Sequence, residues 1–144
     1  MEIVRYEDQY EADVFRLVKD FHAESLNEYG LAFNEQALTD TIKALRYEAY
    51  LLVVDGKAQG LITGKEVATP SSLEKIWHEM VWFVAKPFRR NGVRLLRTVQ
   101  KLLKERGFNG MVMVHMHNSK SDQLARFYER LGMTAMETHY IGRL

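Results

Sequence analysis

The order of three segments near the middle of the chain limits its fold more than any other feature. Residues 80–85 form an almost wholly apolar run, which is typical of a strand buried on both faces. A loop with two arginines, an asparagine and a glycine (residues 89–92) follows, and a helical pattern starts at Val93. This order brings consecutive backbone N–H groups to the positive end of a helix dipole. We therefore expect a binding site for a pyrophosphate here, with a surface loop before a basic helix as the alternative.

The residue types of this loop also suit an anion. Gly92 has no Cβ, so its backbone can approach a phosphate closely, and arginine guanidinium groups add charge-assisted hydrogen bonds. The spacing differs from that of the nucleotide-binding P-loop, so the loop alone does not identify the ligand. The candidate binding residues are Arg89, Arg90, Asn91, Gly92, Val93 and Arg94.

Two sequence motifs resemble the GCN5-related N-acetyltransferase (GNAT) superfamily. The coenzyme loop of that family reads Arg/Gln-x-x-Gly-x-Gly/Ala; Arg89 and Gly92 match it, whereas Arg94 replaces the last small residue. Residues 127–133, Phe-Tyr-Glu-Arg-Leu-Gly-Met, are similar to the family's Leu-Tyr-Glu-Lys-Leu-Gly-Phe segment. The motifs occur in the family's order and at a family-like separation, and the order of elements extends the resemblance over essentially the whole chain.

Composition favours one globular domain, residues 1–144. Hydrophobic residues make up 47% of the chain and aromatic residues 11%, which is ample material for a core. The absence of cysteine excludes disulfides, thiolate zinc sites and a cysteine nucleophile. No run approaches the roughly 20 apolar residues that span a bilayer, and the first residues are too acidic for a signal peptide. We expect a soluble, cytoplasmic protein with no membrane partner.

Charge is unevenly distributed although the net charge is only +1. Residues 1–50 carry 11 acidic and 5 basic side chains, whereas residues 86–106 carry 8 basic and one acidic. A cationic loop and helix suit a coenzyme with several phosphates, and they would equally suit nucleic acid. A solvated basic face that balances an acidic one is the structural alternative.

Hydrophobic periodicity predicts an α/β fold in which helices cover both faces of one mixed sheet. Asn34 is the expected N-cap of a helix with Ala37, Ile42 and Leu45 inward, Asp55-Gly56 signals a hairpin, and Gly107 is a C-cap glycine. The predicted strands are 2–5, 50–54, 57–67, 75–85, 111–116 and 138–141, and the predicted helices are 8–26, 34–45, 93–106 and 121–131.

Two residues are candidates for proton transfer. Tyr128 stands where the resembled family carries its general-acid tyrosine; packing at the edge of an apolar helix face is the alternative. Glu79 lies on the long strand and, on a period of two, shares a face with Trp77, Val81 and Phe83. Apolar surroundings disfavour a charged carboxylate and so make it a better base at neutral pH, whereas a surface salt bridge would leave it structural.

Polar residues at the end of the next strand are further candidates. His115 and His117 face the same way, but no third ligand is near in sequence and the resembled family needs no metal, so we expect no metal site. Either histidine is also a candidate base or acceptor contact. Asn118 and Ser121 lie ten and seven residues before Tyr128, and either side chain would suit a contact with the coenzyme's pantetheine arm.

The resemblance implies an acetyl-CoA-dependent N-acyltransferase that acts by direct attack in a ternary complex. The backbone of Phe83, Val84 and Ala85 would then pair with the pantetheine amides. The acceptor is a primary amine on a small molecule or protein; a nucleic-acid-linked amine, or a non-catalytic CoA-binding module, is the alternative. A monomer and a homodimer both agree with the sequence. Candidates for shaping the acceptor pocket are His22, Glu24, Tyr29, Trp82, His139 and Tyr140.

Overall fold

In the part of the chain that the structure describes, five strands form a single sheet in the order β1-β2-β3-β4-β5. The computed structural model describes residues 1–117 and 121–144. The strands are β1 (Glu2–Arg5), β2 (Ala49–Val54), β3 (Lys57–Thr69), β4 (Ser72–Val84) and β5 (Gly110–Val112). The α-helices are α1 (Glu11–Phe21), α2 (Glu35–Leu45), α3 (Gly92–Glu105) and α4 (Ser121–Arg130).

The strands up to β4 pair antiparallel with their neighbours in sequence, whereas β5 runs parallel to β4. A parallel pair needs a crossover connection, and α3 supplies it. The predicted hairpin between β2 and β3 is confirmed. Asp55 and Gly56 have φ values of 50° and 77°, as the tight turn between twisted strands requires.

Among the described residues, two α-helices cover each face of the sheet. On one face, α1 and α2 bury an apolar stripe against β2 and β3, including Leu17, Leu38 and Ile42. On the other face, α3 buries Leu95 and Leu96, and α4 packs beside it. Burying one stripe of each helix on a sheet face is what stabilises this layered class. The predicted α/β fold, with helices on both faces of a mixed sheet, is confirmed.

The helix ends follow the local sequence. Asn34 caps α2, because its Oδ1 accepts a hydrogen bond from the N–H of Ala37 at 2.9 Å. Gly107 follows α3 with a φ of 88°, a conformation that favours glycine at this position. The prediction that Ala37 points inward is wrong: Ala37 is exposed and Leu38 is buried instead.

A β-bulge in β4 changes which residues share a face. Val81 pairs with Thr63 and Glu79 pairs with Gly64, so Met80 is an extra residue with no partner in β3. One extra residue in a strand reverses the alternation of the side chains that follow it. Glu79 therefore does not share a face with Val81, which belongs to the α1–α2 core, and the prediction that it does is wrong.

Pairing between β4 and β5 stops early. The ladder ends where His78 is opposite Val112, and the predicted strand through Met116 is therefore only partly right. Beyond this point the two strands separate, and the carboxylate of Glu79 accepts a hydrogen bond from the N–H of Val114 at 2.9 Å. A side chain thus takes the place of the next strand-to-strand hydrogen bond.

The predicted strand at 138–141 is wrong, since residues 133–144 contain neither helix nor strand. Tyr140 and Ile141 are strand-favouring residues, yet 94% and 59% of their surfaces are exposed. Strand preference depends on packing and backbone pairing with a neighbouring strand, and this segment has no such neighbour among the described residues. No helix in the described part of the chain is long and apolar enough to cross a membrane.

The close pairing of β3 and β4 beside the bulge predicts a strong effect of Gly64→Ala. A Cβ at Gly64 would lie 2.2 Å from the carbonyl oxygen of His78, so backbone would have to move. We expect the free energy of unfolding in urea to fall by roughly 1–3 kcal/mol. Gly142→Ala is the matched control, since a Cβ there meets no described atom within 4 Å. Equal stability of the two variants would contradict this strand pairing.

Candidate active site

A cleft opens where β4 and β5 separate. Its volume is about 490 Å³, and it reaches both faces of the sheet. Residues from the end of α1, from β4, from the start of α3 and from α4 line it. They include Phe21, Glu24, Glu79, Met80, Trp82, Phe83, Val84, Arg89, Gly92, Val114, Met116, Gln123, Phe127 and Tyr128. Volumes of this size are typical of small-molecule sites.

Glu79 is the buried carboxylate of the cleft, with 5% of its surface exposed. Burial raises its pKa to about 7, because removal from water disfavours the charged form; the hydrogen bond from Val114 acts in the opposite direction but is the smaller effect. A carboxylate with a pKa near neutrality can accept and release a proton at physiological pH.

Tyr128 lies on the inner face of α4, and its hydroxyl donates a hydrogen bond to the carbonyl oxygen of Val114 at 3.0 Å. Burial raises the pKa of Tyr128, and the nearby charge of Glu79 raises it further. The phenol therefore keeps its proton at neutral pH and is available as a donor.

Val114 joins the two candidate catalytic residues. Its N–H binds the Glu79 carboxylate, and its carbonyl oxygen accepts from the Tyr128 hydroxyl. Both side chains are thus held at one residue, two positions after the end of β5. A proton acceptor and a proton donor meet in the same cleft, which is the combination that acyl transfer to an amine requires.

The edge of β4 beyond His78 faces this cleft. Phe83 and Val84 are buried on opposite faces of the sheet, and both line the cleft. Ala85 uses its N–H in a hydrogen bond of 2.8 Å to the carbonyl oxygen of Gln59. The cleft side of this strand is therefore where an extended ligand would add to the sheet.

Gly92 and Val93, at the start of α3, line the cleft. Gly92 has a φ of −59°, an ordinary helical value, and its N–H donates to the carbonyl oxygen of Arg89. A Cβ at Gly92 would lie 3.5 Å from Trp82 and 3.6 Å from Val84, in normal contact. Asn91 precedes the helix without capping it through its side chain, and Val93 is 37% exposed beside the cleft.

Arg89 is partly exposed and reaches across the cleft. Its Nε donates to the carbonyl oxygen of Val84 at 3.2 Å, and its guanidinium forms an ion pair with Glu24. It also lies over the Phe83 ring, 5.7 Å from the ring centre. Arg90 and Arg94 are exposed, and neither forms an ion pair with a described residue, so their charges remain available to an anion.

The turn after α1 places Glu24 at the cleft. Residues His22–Leu26 form a π-helical turn, which widens the helix where it meets the site. Such turns occur frequently at functional sites. The predicted helix through residue 26 is confirmed in extent, but periodicity could not indicate this change of helix type.

The other predicted polar candidates lie in different places. The rings of His115 and His117 are 5.1 Å apart, and no group of three His, Cys, Asp or Glu side chains in the described residues could hold a metal ion. Ser121 is the first residue of α4, and Asn118 lies outside the described residues. His22, Tyr29, His139 and Tyr140 do not line the cleft, whereas Glu24 and Trp82 do.

Several lining residues were not among the sequence candidates. Phe21, Met80, Met116, Gln123 and Phe127 all line the cleft. They carry no motif, because their position depends on the bulge, the π-helical turn and the separation of the strands. Phe127 is the exception. It belongs to the family-like segment and directly precedes Tyr128, so the motif could have indicated it as a site residue.

Comparison with known proteins agrees with this geometry. The model of the acetyltransferase (GNAT) family matches residues 12–133, and the chain belongs to this family. The predicted relationship to the GNAT superfamily is confirmed. None of the curated protein sequences matches the chain.

Solved structures share the fold over nearly the full length. An acetyltransferase from Trypanosoma brucei has a TM-score of 0.71 at 14% identity, with 99% of each chain covered. A ribosomal-protein-alanine N-acetyltransferase from Brucella melitensis has a TM-score of 0.74 at 15% identity, covering 99% of this chain and 98% of that one. AAC(6′)-Iy, bound to the bisubstrate analogue CoA-S-monomethyl-acetylneamine, has a TM-score of 0.73 at 15% identity, with 99% and 97% covered. At these identities the likeness establishes the fold.

The raised pKa of Glu79 predicts a specific dependence of stability on pH. The folded chain holds a proton on Glu79 between about pH 4.5 and pH 7, where the unfolded chain has released it. The wild type should therefore lose stability relative to Glu79→Gln as pH rises through this window, by up to about 3 kcal/mol. Urea unfolding at pH 5 and pH 8 measures the difference. Glu74→Gln, an exposed position on the same strand, should show no such trend; a parallel response of both variants would contradict burial of Glu79.

Proposed function

We propose that this protein transfers an acetyl group from acetyl-CoA to a primary amine by direct attack within a ternary complex. One observation carries the proposal: the Glu79 carboxylate and the Tyr128 hydroxyl meet at Val114, inside a cleft between the edge of β4 and the start of α3. Membership in the acetyltransferase family agrees with this chemistry.

Glu79 is the proposed base. An amine acceptor arrives largely as an ammonium ion and must lose a proton before its nitrogen can attack a thioester carbonyl. With a pKa of about 7, the Glu79 carboxylate accepts that proton near neutral pH, directly or through a water molecule. The hydrogen bond from Val114 fixes the carboxylate in place at the strand separation.

Tyr128 is the proposed acid. As the nitrogen–carbon bond forms and the carbon–sulfur bond breaks, a thiolate develops and takes up a proton. The Tyr128 hydroxyl keeps its proton at neutral pH and lines the same cleft. Its hydrogen bond to Val114 orients the phenol, and the tyrosine regains a proton after product release.

Coenzyme binding is assigned to β4 and the start of α3. The cleft side of Phe83 and Val84 provides a strand edge for the amide groups of pantetheine, whereas the N–H and the carbonyl oxygen of Ala85 are already bonded to Gln59 and Phe88. Residues 89–94 provide the positive end of α3 and two exposed guanidinium groups, Arg90 and Arg94, for phosphates. Asn118 and Ser121 stay as further proposed contacts to the pantetheine arm.

Gly92→Glu tests the coenzyme site. A carboxylate at the start of α3 would repel phosphate, so we expect affinity for CoA to fall by more than tenfold, measured by isothermal titration calorimetry. Gly92→Ala separates the effect of added bulk from that of added charge, because its Cβ meets Trp82 and Val84 at normal contact distances and brings no carboxylate. Wild-type CoA affinity of a folded Gly92→Glu variant would show that the coenzyme binds elsewhere.

Tyr128→Phe tests the acid, since it keeps the ring packed against Trp82 and removes only the hydroxyl. We expect kcat to fall by roughly 10²–10⁴ while CoA affinity barely changes. If Tyr128→Phe keeps near wild-type turnover with chemistry rate-limiting, the tyrosine is structural.

Glu79→Gln tests the base through the pH dependence of the rate. Wild-type kcat/KM should rise with pH up to about 7 and then level off as Glu79 loses its proton. The deficit of Glu79→Gln should shrink at higher pH, because the amine then loses its proton without help. A deficit that stays constant from pH 6 to pH 9.5 would exclude Glu79 as the base.

A further inference from the structure

The cleft has two chemically different ends. The end near α3 and α4 adjoins the basic loop and is the proposed coenzyme side. The opposite end is formed by the last turn of α1, the π-helical turn and the bulged part of β4. Its walls are Phe21, Phe83 and Met80, with Glu24, Ser25 and the guanidinium of Arg89, which reaches over from the basic loop, at the rim. This second end is where an acceptor would meet the acetyl group.

The carboxylates near the acceptor end already have an ion-pair partner or a proposed role in the reaction. Among the described residues that line the cleft, the carboxylates are Glu24 and Glu79. Glu24 is paired with Arg89, so its charge is already balanced. Glu79 is the proposed base that accepts the proton of the reacting nitrogen. A second cationic group on the acceptor would therefore find no free carboxylate among these lining residues, and it would meet the positive charge of Arg89 at the rim.

Apolar surface dominates the remaining walls. The rings of Phe21 and Phe83 meet edge to face, with their centres 6.4 Å apart, and form an angled apolar wall with the Arg89 guanidinium over the Phe83 ring. Met80 projects from the bulge with 43% of its surface exposed, and an unbranched, polarizable thioether adapts well to aromatic partners. The whole cleft measures about 490 Å³, and part of that volume is needed for the pantetheine arm. The space left for the acceptor is small.

From this lining we infer that the acceptor is a small primary amine with a single cationic centre on an apolar or aromatic body. The amine would reach Glu79 while its apolar body packs on Phe21, Phe83 and Met80. This inference rests on the proposed acetyl transfer and narrows its acceptor. It disfavours polyamines and aminoglycosides, whose additional ammonium groups would remain unpaired, and it disfavours peptide N-termini, whose backbone polar groups would be buried against these walls.

A comparison of four amines tests the inference. The acceptors are 2-phenylethylamine, spermidine, neamine and a short peptide with a free N-terminus, and release of CoA measures kcat/KM. We expect 2-phenylethylamine to exceed each of the others by roughly tenfold or more. Binding of the same amines to the protein saturated with CoA is measured in parallel by calorimetry, so that slow turnover does not hide the preference.

Met80→Glu sharpens the test by adding a carboxylate at the acceptor end. The ratio of kcat/KM for spermidine to that for 2-phenylethylamine should rise roughly tenfold or more, and this ratio cancels any change in the basicity of Glu79. Met80→Gln adds polarity without charge and should change the ratio less. Met136→Glu places the same charge at a residue that is 74% exposed and does not line the cleft, and it should leave the ratio unchanged.

The outcomes separate this inference from the proposed function. Failure of the protein to bind CoA would contradict the proposed function itself. CoA binding together with a preference for spermidine, neamine or the peptide would overturn the acceptor inference alone. So would equal ratios in Met80→Glu and Met136→Glu. If CoA binds but 2-phenylethylamine shows neither turnover nor binding, the acceptor inference is also wrong.

Discussion

The separation of β4 from β5 after His78 is the constraint on which the rest of the structure depends. Two parallel strands would normally continue their ladder, but here the Glu79 carboxylate takes the N–H of Val114. The extra residue Met80 bends β4 at the same point. The sheet therefore splits, and a cleft forms through a layer that would otherwise be continuous. The cleft opens at this interruption of strand pairing, and the bulge in β4 and both candidate catalytic groups lie beside it.

Holding a carboxylate at this position costs stability, and that cost is the source of its proposed reactivity. Burial disfavours the charged form of Glu79, and one backbone hydrogen bond offsets only part of this effect. Packing in the surrounding layers offsets this loss of stability. Leu95, Leu96 and Val99 of α3 are completely buried under the same face of the sheet. A well-packed core thus keeps in place a group that would be better solvated outside it, as is common at active sites.

Arg89 illustrates how one residue can belong to two parts of a site. It matches the family's coenzyme loop, yet its guanidinium is paired with Glu24 and its Nε binds the carbonyl oxygen of Val84. These contacts connect the loop before α3 to the turn after α1 across the cleft. Glu24 is thereby paired with a positive charge at the proposed acceptor end, whose other walls are largely apolar. The guanidinium of Arg89 therefore affects both the charge of the loop before α3 and the charge at the proposed acceptor end.

The sequence by itself was enough to predict most of the layered fold. Its two family-like motifs also indicated Gly92 and Tyr128 as candidate site residues. Helix period, the Asp55-Gly56 turn and the Asn34 cap are local signals, because neighbouring residues decide them. Tertiary structure alone decided that Glu79 and Val81 lie on opposite faces of the sheet, that β5 ends at Val112 and that residues 138–141 form no strand. Strand pairing and burial depend on partners far away in the chain, so no local pattern specifies them. For the same reason the walls of the acceptor end, drawn from separate elements, became visible only in the folded chain.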